Sequence, residues 1–112
     1  MKELIIKCNL SIKKTLLKMK ESNSKSLVVE EDGFLKGTIS DGDIRNALLF
    51  GEKINSKINK IYNKNCTFFY EKDQDLKKIK SVMLNNRFDL IPITDKQKKI
   101  INIYTFRNLF GE

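Results

Sequence analysis

The stretch Leu35-Lys-Gly-Thr-Ile-Ser-Asp-Gly-Asp-Ile-Arg-Asn-Ala-Leu-Leu-Phe-Gly51 decides the fold, because it runs from the end of a strand into a helix. The residue pattern changes from period 2 to period 3.6 near Ser40. Ser40 and Asp43 occupy this junction as Ser-x-x-Asp. A serine at the N-cap with an acidic residue three positions later indicates a capping box, in which each side chain accepts the other's backbone N–H.

The same junction offers the chemistry of a ligand site. N–H groups at a helix start bind phosphate, and a serine hydroxyl beside them can join in. A carboxylate one turn further on can accept both hydroxyls of a ribose. We therefore interpret Ser40 and Asp43 as a helix cap and as candidate nucleotide contacts.

The elements before this stretch complete a unit of strand, helix, strand, hairpin, strand and helix. Its predicted elements are a strand at 4–6, a helix at 11–22 capped by Asn9 or Ser11, a strand at 27–29, a turn at 30–33, a strand at 34–40 and a helix at 41–50. The residues predicted to face inward are Ile12, Leu16, Leu17 and Met19 on the first helix and Ile44, Ala47, Leu48 and Phe50 on the second.

The second half repeats this order after a segment at 52–65 that we interpret as a linker lying across the domain, with a helical turn. A strand at 66–70 precedes a helix that Asp73 caps, with Leu76, Ile79, Val82 and Met83 inward. A hairpin of 90–93 and 100–104 then leads to a short helix that begins at Thr105.

The two halves align at a constant spacing. Asp32 and Asp95 are 63 residues apart, as are Leu16 and Ile79. The second hairpin turn is two residues longer, so Ser40 falls against Thr105. We predict an α+β fold of two βαββα repeats, at 1–55 and 56–112, packed as a pseudo-twofold pair.

The net charge and the kind of basic residue bear on whether the chain binds nucleic acid. The 112 residues carry a net charge of +8, with ten basic and eight acidic residues in 1–55 against twelve and six in 56–112. Nineteen of the 22 basic residues are lysines, whereas readout of nucleic-acid bases favours arginine. We therefore expect solvated lysines, and a field that favours a small polyanion, rather than specific nucleic-acid binding.

The sequence contains no histidine and two distant cysteines, Cys8 and Cys66, which we expect to be buried thiols. This composition argues against a zinc site and removes the usual general base. No stretch approaches the ~18 consecutive apolar residues of a membrane span. We expect a cytoplasmic protein.

The repeat and its motif resemble a known family. Gly37-Thr-Ile-Ser-Asp-Gly-Asp43, at the end of the first βαββα unit, resembles the motif of a tandem CBS-domain pair, or Bateman module, named after cystathionine β-synthase. Thr38 is a mild departure from the family's pattern. In the second repeat Asn102-Ile-Tyr-Thr-Phe-Arg-Asn108 keeps Thr105 but has asparagine in place of the glycine and the aspartate.

The resemblance implies a regulatory module that binds AMP, ADP or ATP in clefts between the repeats and needs no cofactor. Ser40 would contact the phosphate and Asp43 the ribose, while Ile39, Ser26, Leu27 and Val28 would line the first cleft. Thr105 would contact a second phosphate, with Leu90, Ile91 and Pro92 near the base. Asn108 would weaken the second site, because a neutral amide replaces the carboxylate.

The longer string Gly37–Leu49 is similar to the N-terminal CBS pair of bacterial sugar-phosphate nucleotidyltransferases. This similarity implies that the chain is the regulatory part of a longer enzyme, with a C-terminal catalytic domain following it. CBS pairs commonly dimerise, so we also expect a homodimer.

Two other interpretations stay open at this stage. The module could serve dimerisation alone, without a nucleotide. Asp41 and Asp43 could instead chelate Mg²⁺ with a substrate phosphate, as in Asp-x-Asp enzymes. The aligned Thr105-Phe-Arg-Asn108 has no carboxylates, and we therefore favour a binding module over an enzyme.

Overall fold

The computed structural model describes residues 1–111, and its elements follow the order predicted from the sequence. The elements are β1 (Ile5–Lys7), α1 (Ile12–Ser22), β2 (Ser26–Glu31), β3 (Phe34–Ser40), α2 (Asp41–Leu49), β4 (Phe69–Tyr70), α3 (Leu76–Asn86), β5 (Leu90–Thr94), β6 (Ile100–Thr105) and α4 (Phe106–Phe110), with 3-10 turns at Lys2–Leu4, Ile58–Lys60 and Glu71–Asp73. Each half is βαββα, which confirms the α+β prediction.

Each half has its own three-stranded sheet, in the orders β1-β2-β3 and β4-β5-β6. The first two strands of each sheet are parallel, and β5 and β6 are antiparallel, with Leu90 opposite Thr105. Asp32 and Gly33 join β2 to β3 with φ of 55° and 89°. Positive φ at both positions is typical of a tight hairpin turn, which explains the glycine there.

The chain forms two compact units. The first contains Met1–Asp32 and Lys36–Cys66, and the second contains Gly33–Leu35 and the chain from Thr67 onward. Residues 56–66 therefore pack with the first unit, beyond the repeat boundary at 55/56 that the sequence predicts. The repeat boundary at 55/56 stays a prediction. The boundary between the two compact units lies after Cys66.

The first unit has an aliphatic core between its sheet and its helices. Its buried members are Ile6, Ile12, Met19, Leu27, Val29, Ile39, Ile44 and Ile58. The second core is smaller and consists of Ile79, Met83, Ile91 and Ile93. Burial of such side chains supplies most of the favourable free energy of folding in a chain of this size.

The linker after α2 is attached to the first unit by backbone hydrogen bonds. The Ile12 N–H donates to the Ser56 carbonyl at 2.8 Å, and Thr38 and Asn63 exchange two bonds of 3.1 and 2.8 Å. Ile58, in the 3-10 turn, is fully buried in the first core. The predicted linker with a helical turn, lying across the domain, is therefore confirmed.

Gly37 lies directly beneath this linker. A Cβ atom at position 37 would lie 2.8 Å from Tyr62 Cδ1 and 2.9 Å from the Asn63 carbonyl carbon, and it would collide with the Asn63 carbonyl oxygen. Only glycine allows this close approach of two backbones. Burial raises the pKa of the Tyr62 phenol above its ordinary value.

One predicted helix start is wrong. Asp75 caps α3, because its carboxylate accepts the Lys77 N–H at 3.0 Å. Asp73 instead ends the preceding 3-10 turn. The extended backbone of Gln74 separates the two elements, so a cap at Asp73 would precede a residue that is not helical.

Four residues predicted to face inward are exposed, namely Leu17, Leu48, Phe50 and Leu76. Phe50 is 88% exposed, whereas Thr15 is fully buried on the face of α1 that contacts the core. The buried residues of α1, α2 and α3 are few, so the apolar residues of these helices extend beyond the face that packs in the core. Cys8 and Cys66 are half-buried thiols rather than fully buried ones.

No helix within residues 1–111 is both long enough and apolar enough to cross a bilayer.

Candidate functional site

The predicted capping box forms at the start of α2. The Ser40 hydroxyl accepts the Asp43 N–H at 3.1 Å, and Asp43 Oδ2 accepts the Ser40 N–H at 2.9 Å. Ser40 has the extended backbone of an N-cap residue. Both side chains are half-buried, so they hold their geometry while remaining in reach of a ligand.

Two further contacts hold this helix start in place. The Asp41 N–H donates to the Lys25 carbonyl at 2.9 Å, which ties α2 to the residue before β2. Ile44 is 1% exposed and belongs to the first core. Asp43 therefore lies between two anchored positions, the hydrogen bond of Asp41 and the buried side chain of Ile44.

The second unit repeats this geometry. The Thr105 hydroxyl accepts the Asn108 N–H at 3.1 Å, and Asn108 Oδ1 accepts the Thr105 N–H at 3.4 Å. The Phe106 N–H donates to the Asp89 carbonyl at 2.9 Å, as Asp41 donates to Lys25. Asn108 is exposed, and α4 is only five residues long.

The two caps differ in what they leave for a ligand. Asp43 uses Oδ2 for the cap, and within residues 1–111 its other oxygen, Oδ1, has no hydrogen-bond partner. Asn108 uses its single amide oxygen for the cap, so only its NH₂ group remains unbonded. Asp43 therefore offers a ligand a charged oxygen that has no other partner, whereas Asn108 offers an NH₂ donor and a neutral oxygen that already accepts the Thr105 N–H.

The other predicted contacts of the first cleft lie in different surroundings. Leu27 and Ile39 are members of the first core, and Val28 is fully buried on the opposite face of β2. Ser26 is half-buried at the start of β2, next to the Lys25 carbonyl that holds α2. The structure thus brings Ser26, Ser40 and Asp43 to one end of the unit and places the side chains of Leu27 and Ile39 in its interior.

The predicted contacts in the second unit are mostly interior residues. Leu90, Ile91 and Pro92 all lie in β5, which is buried along its whole length. Ile91 packs in the second core. Thr105 is half-buried and is adjacent in the sheet to Leu90.

A groove of about 340 Å³ adjoins Asp43. Its walls are Asn46, Ala47 and Phe50 of α2 and Glu52, Lys60 and Ile61 of the following segment. None of these wall residues is among the ligand contacts predicted from the sequence. Ala47 and Phe50 are four and seven residues after Asp43, so helical spacing could have predicted that they share a face with it. No local pattern in the sequence places Lys60 beside Asp43.

The groove combines an ammonium group with polar and aromatic side chains. Lys60 is exposed in the 3-10 turn of the linker, and Glu52 and Asn46 supply acceptors and donors. The three lysines at positions 57, 60 and 64, which the sequence placed in the basic second half, thus belong to the first unit. Their charge lies in the same unit as Asp43.

The two carboxylates of Asp41-Gly-Asp43 have different partners. Asp41 is 3.7 Å from the Arg45 guanidinium, one turn further along α2, and Asp43 is held by Ser40. In the part of the chain that the structure describes, no group of three or more acidic, cysteine or histidine residues could hold a metal ion.

Comparison with protein-family models gives a match over the first half of the chain. Residues 2–50 match the model described as CBS domain. This range ends just after α2 and includes both Ser40 and Asp43.

A comparison with curated proteins gives a homoserine O-acetyltransferase of Methanosarcina acetivorans. It is 31% identical over 99 residues, which are 86% of this chain. The chain spans only 18% of the length of that relative.

Solved structures show the same fold over nearly the whole chain. The CBS domains of a transcriptional regulator from Streptococcus pneumoniae match with a TM-score of 0.82 at 12% identity, over 99% of this chain and 90% of that one. CBSX2 in complex with AMP matches with a TM-score of 0.81 at 23% identity, over 96% and 85%.

Proposed function

Because this chain has the fold of a pair of CBS domains, we propose that it is a regulatory module that binds an adenine nucleotide at Ser40 and Asp43. The observation that carries the proposal is the free acceptor Oδ1 of Asp43, held beside a hydroxyl and the start of α2. A ribose needs such an acceptor, and a phosphate needs such N–H and hydroxyl donors.

Similarity to CBSX2, whose structure contains AMP, supports the choice of an adenine nucleotide. Lys60, in the groove beside Asp43, adds a positive charge that favours a phosphate. The contacts that we propose are Ser40 for the phosphate, Asp43 for the ribose and Ser26 at the start of β2. Within residues 1–111 the only side-chain oxygen of Asn108 is neutral and already bonded to the Thr105 N–H, so we propose one strong site rather than two.

The proposal predicts that AMP, ADP or ATP raises the melting temperature of the chain. A ligand at about 100 times its Kd stabilises the folded state by about 2.7 kcal/mol. For a chain of this length that corresponds to a shift on the order of 10 °C in a differential scanning fluorimetry experiment.

The same measurement on Asp43→Ala is the control, and the shift should vanish in that variant. If none of the three nucleotides moves the melting temperature of the native sequence, nucleotide binding is wrong. A module that serves dimerisation alone then becomes the better proposal.

An exposed apolar segment at the end of α2 supports dimerisation. Leu48, Leu49 and Phe50, at the end of α2, are 38%, 75% and 88% exposed. Consecutive exposed apolar residues are unusual on a monomer and are typical of an interaction surface. We therefore propose that the chain is a homodimer that uses this end of α2, with or without nucleotide.

Leu49→Glu is expected to weaken the dimer, because it places a charge in the proposed interface. Light scattering after gel filtration should show a dimer for the native sequence and a monomer for the variant at micromolar concentration. Leu84→Glu is the matched control, since Leu84 is 53% exposed on α3. A monomeric native chain, or equal loss in both variants, contradicts this proposal.

The parent enzyme is a separate proposal. Similarity of the string Gly37–Leu49 to nucleotidyltransferase CBS pairs suggests a C-terminal catalytic domain that acts on a sugar phosphate. In that enzyme the nucleotide would regulate the attached domain by favouring one of its states. Equal activity with and without each adenine nucleotide would exclude this regulation.

A further inference from the structure

A second groove lies on the first unit, away from Ser40 and Asp43. It measures about 390 Å³ and runs between α1 and the edge strand β1. Ile5, Leu10 and Leu17 form its apolar lining, and the aliphatic stems of neighbouring lysines extend this lining. Leu17 is one of the four residues of α1 that helical spacing assigns to the core, yet it is 49% exposed.

Three lysines border the groove, namely Lys7, Lys14 and Lys18, against the single carboxylate of Glu21. Within residues 1–111 none of the three lysines has an ion-pair partner within 4 Å. The nearby Glu3, within electrostatic reach of Lys18, is held by the N-terminal ammonium at 2.9 Å. The apolar lining therefore carries uncompensated positive charge.

This charge works against the helix that bears it. Lys14 and Lys18 are one turn apart, and like charges at this spacing repel each other. Lys14 also lies in the first turn of α1, which contains no acidic residue, although the positive end of the helix dipole favours one there. A bound anion would relieve both unfavourable interactions.

The size of the groove indicates the kind of occupant. Its volume is at the lower end of the roughly 300–1,000 Å³ of small-molecule pockets. A stable protein partner would instead cover roughly 20–30 residues on each side. The groove is lined by eight residues, which is a small-molecule footprint.

We infer that this groove binds a small anionic amphiphile, a carboxylate or phosphate head on a hydrocarbon body. The head would lie against Lys14 and Lys18, and the hydrocarbon would contact Leu10 and Leu17. The inference goes beyond nucleotide binding and does not depend on it, because the groove contains neither Ser40 nor Asp43.

Decanoate is the probe, titrated at millimolar concentration into the isotope-labelled chain and followed by amide NMR. We expect saturable shifts confined to Ile5–Leu10 and to α1. Lys14→Gln/Lys18→Gln should weaken binding by about tenfold, because it removes two charged contacts to the head group. Lys13→Gln/Lys20→Gln, with the same charge change on exposed positions of the same helix outside the groove, should bind as the native chain does.

Three further measurements use decanol, phosphatidylglycerol vesicles and the Asp43→Ala variant. Decanol has the same body without the charge, and equal binding of decanol and decanoate would overturn the inference. Equal loss of decanoate affinity in the two double variants would also overturn it. Binding to phosphatidylglycerol vesicles without any binding of free decanoate would overturn it as well. Decanoate binding that persists in Asp43→Ala supports the inference and separates its outcome from that of nucleotide binding.

Discussion

Gly37→Ala is expected to lower the free energy of unfolding by about 2 to 4 kcal/mol. The added Cβ would collide with the Asn63 carbonyl oxygen and would lie 2.8 Å from Tyr62 Cδ1. The linker cannot move away without losing the two Thr38–Asn63 hydrogen bonds, each of which contributes about 1 kcal/mol. Overpacking a rigid site adds about 1 to 3 kcal/mol. Urea denaturation measures the loss.

Gly42→Ala is the matched control for this prediction. A Cβ at position 42 would have its nearest contacts at 3.6 Å, to Ser40 Oγ and Arg45 Nη2, which is ordinary packing. Because Gly42 lies within α2, alanine should leave stability unchanged or raise it by about 0.5 to 1 kcal/mol. A Gly37→Ala protein as stable as the Gly42→Ala protein would contradict the explanation.

Gly37 is a motif residue with a structural role. Gly37 belongs to the string by which the chain resembles CBS-domain pairs. The structure gives it a packing role beneath the linker. At the aligned position of the second repeat, Asn102 is exposed and its side chain accepts the Ile103 N–H at 2.9 Å.

Asp43→Asn is expected to weaken nucleotide binding by about 10- to 100-fold while stability stays within about 0.5 kcal/mol. Asparagine at this position can still form the capping box, as Asn108 does in α4. Its only side-chain oxygen, however, would be the one that accepts the Ser40 N–H, so the separate charged oxygen that we assign to the ribose would be lost. A hydrogen bond to a charged group contributes about 1.5 to 3 kcal/mol, which gives the expected factor. Titration calorimetry and urea denaturation measure the two quantities.

A substitution at Asn108, the residue of the second repeat that aligns with Asp43, is the control for this prediction. Asn108→Ala removes only the 3.4 Å half of the capping box in α4 and leaves the Thr105 cap in place. It should leave nucleotide affinity unchanged and cost about 0.5 kcal/mol of stability. If Asn108→Ala weakened binding as much as Asp43→Asn does, the two caps would be equivalent and the assignment of one strong site would be wrong. Native affinity in Asp43→Asn would remove the ribose contact from the proposal.

Much of the fold could be predicted from the sequence. The strand and helix order, the capping box of Ser40 and Asp43, the hairpin turn at Asp32 and Gly33 and the attached linker all agree with the structure. For the proposed site, the sequence selected Ser40 and Asp43 as ligand contacts, which stays a prediction, and it showed the difference between Asp43 and Asn108. It did not identify the groove beside them or the second groove along α1.

The sequence by itself determined what depends on residues three or four positions apart, because caps, turns and helical faces are made by neighbours in the chain. Only the tertiary structure decided which apolar residues are covered. Leu17 and Phe50 have the spacing of buried residues but are exposed, since coverage depends on which face of each helix packs in the core. The path of the linker, likewise, placed Asn63 on Gly37 and Lys60 beside Asp43, and contacts over such separations are set by backbone packing that no local pattern encodes.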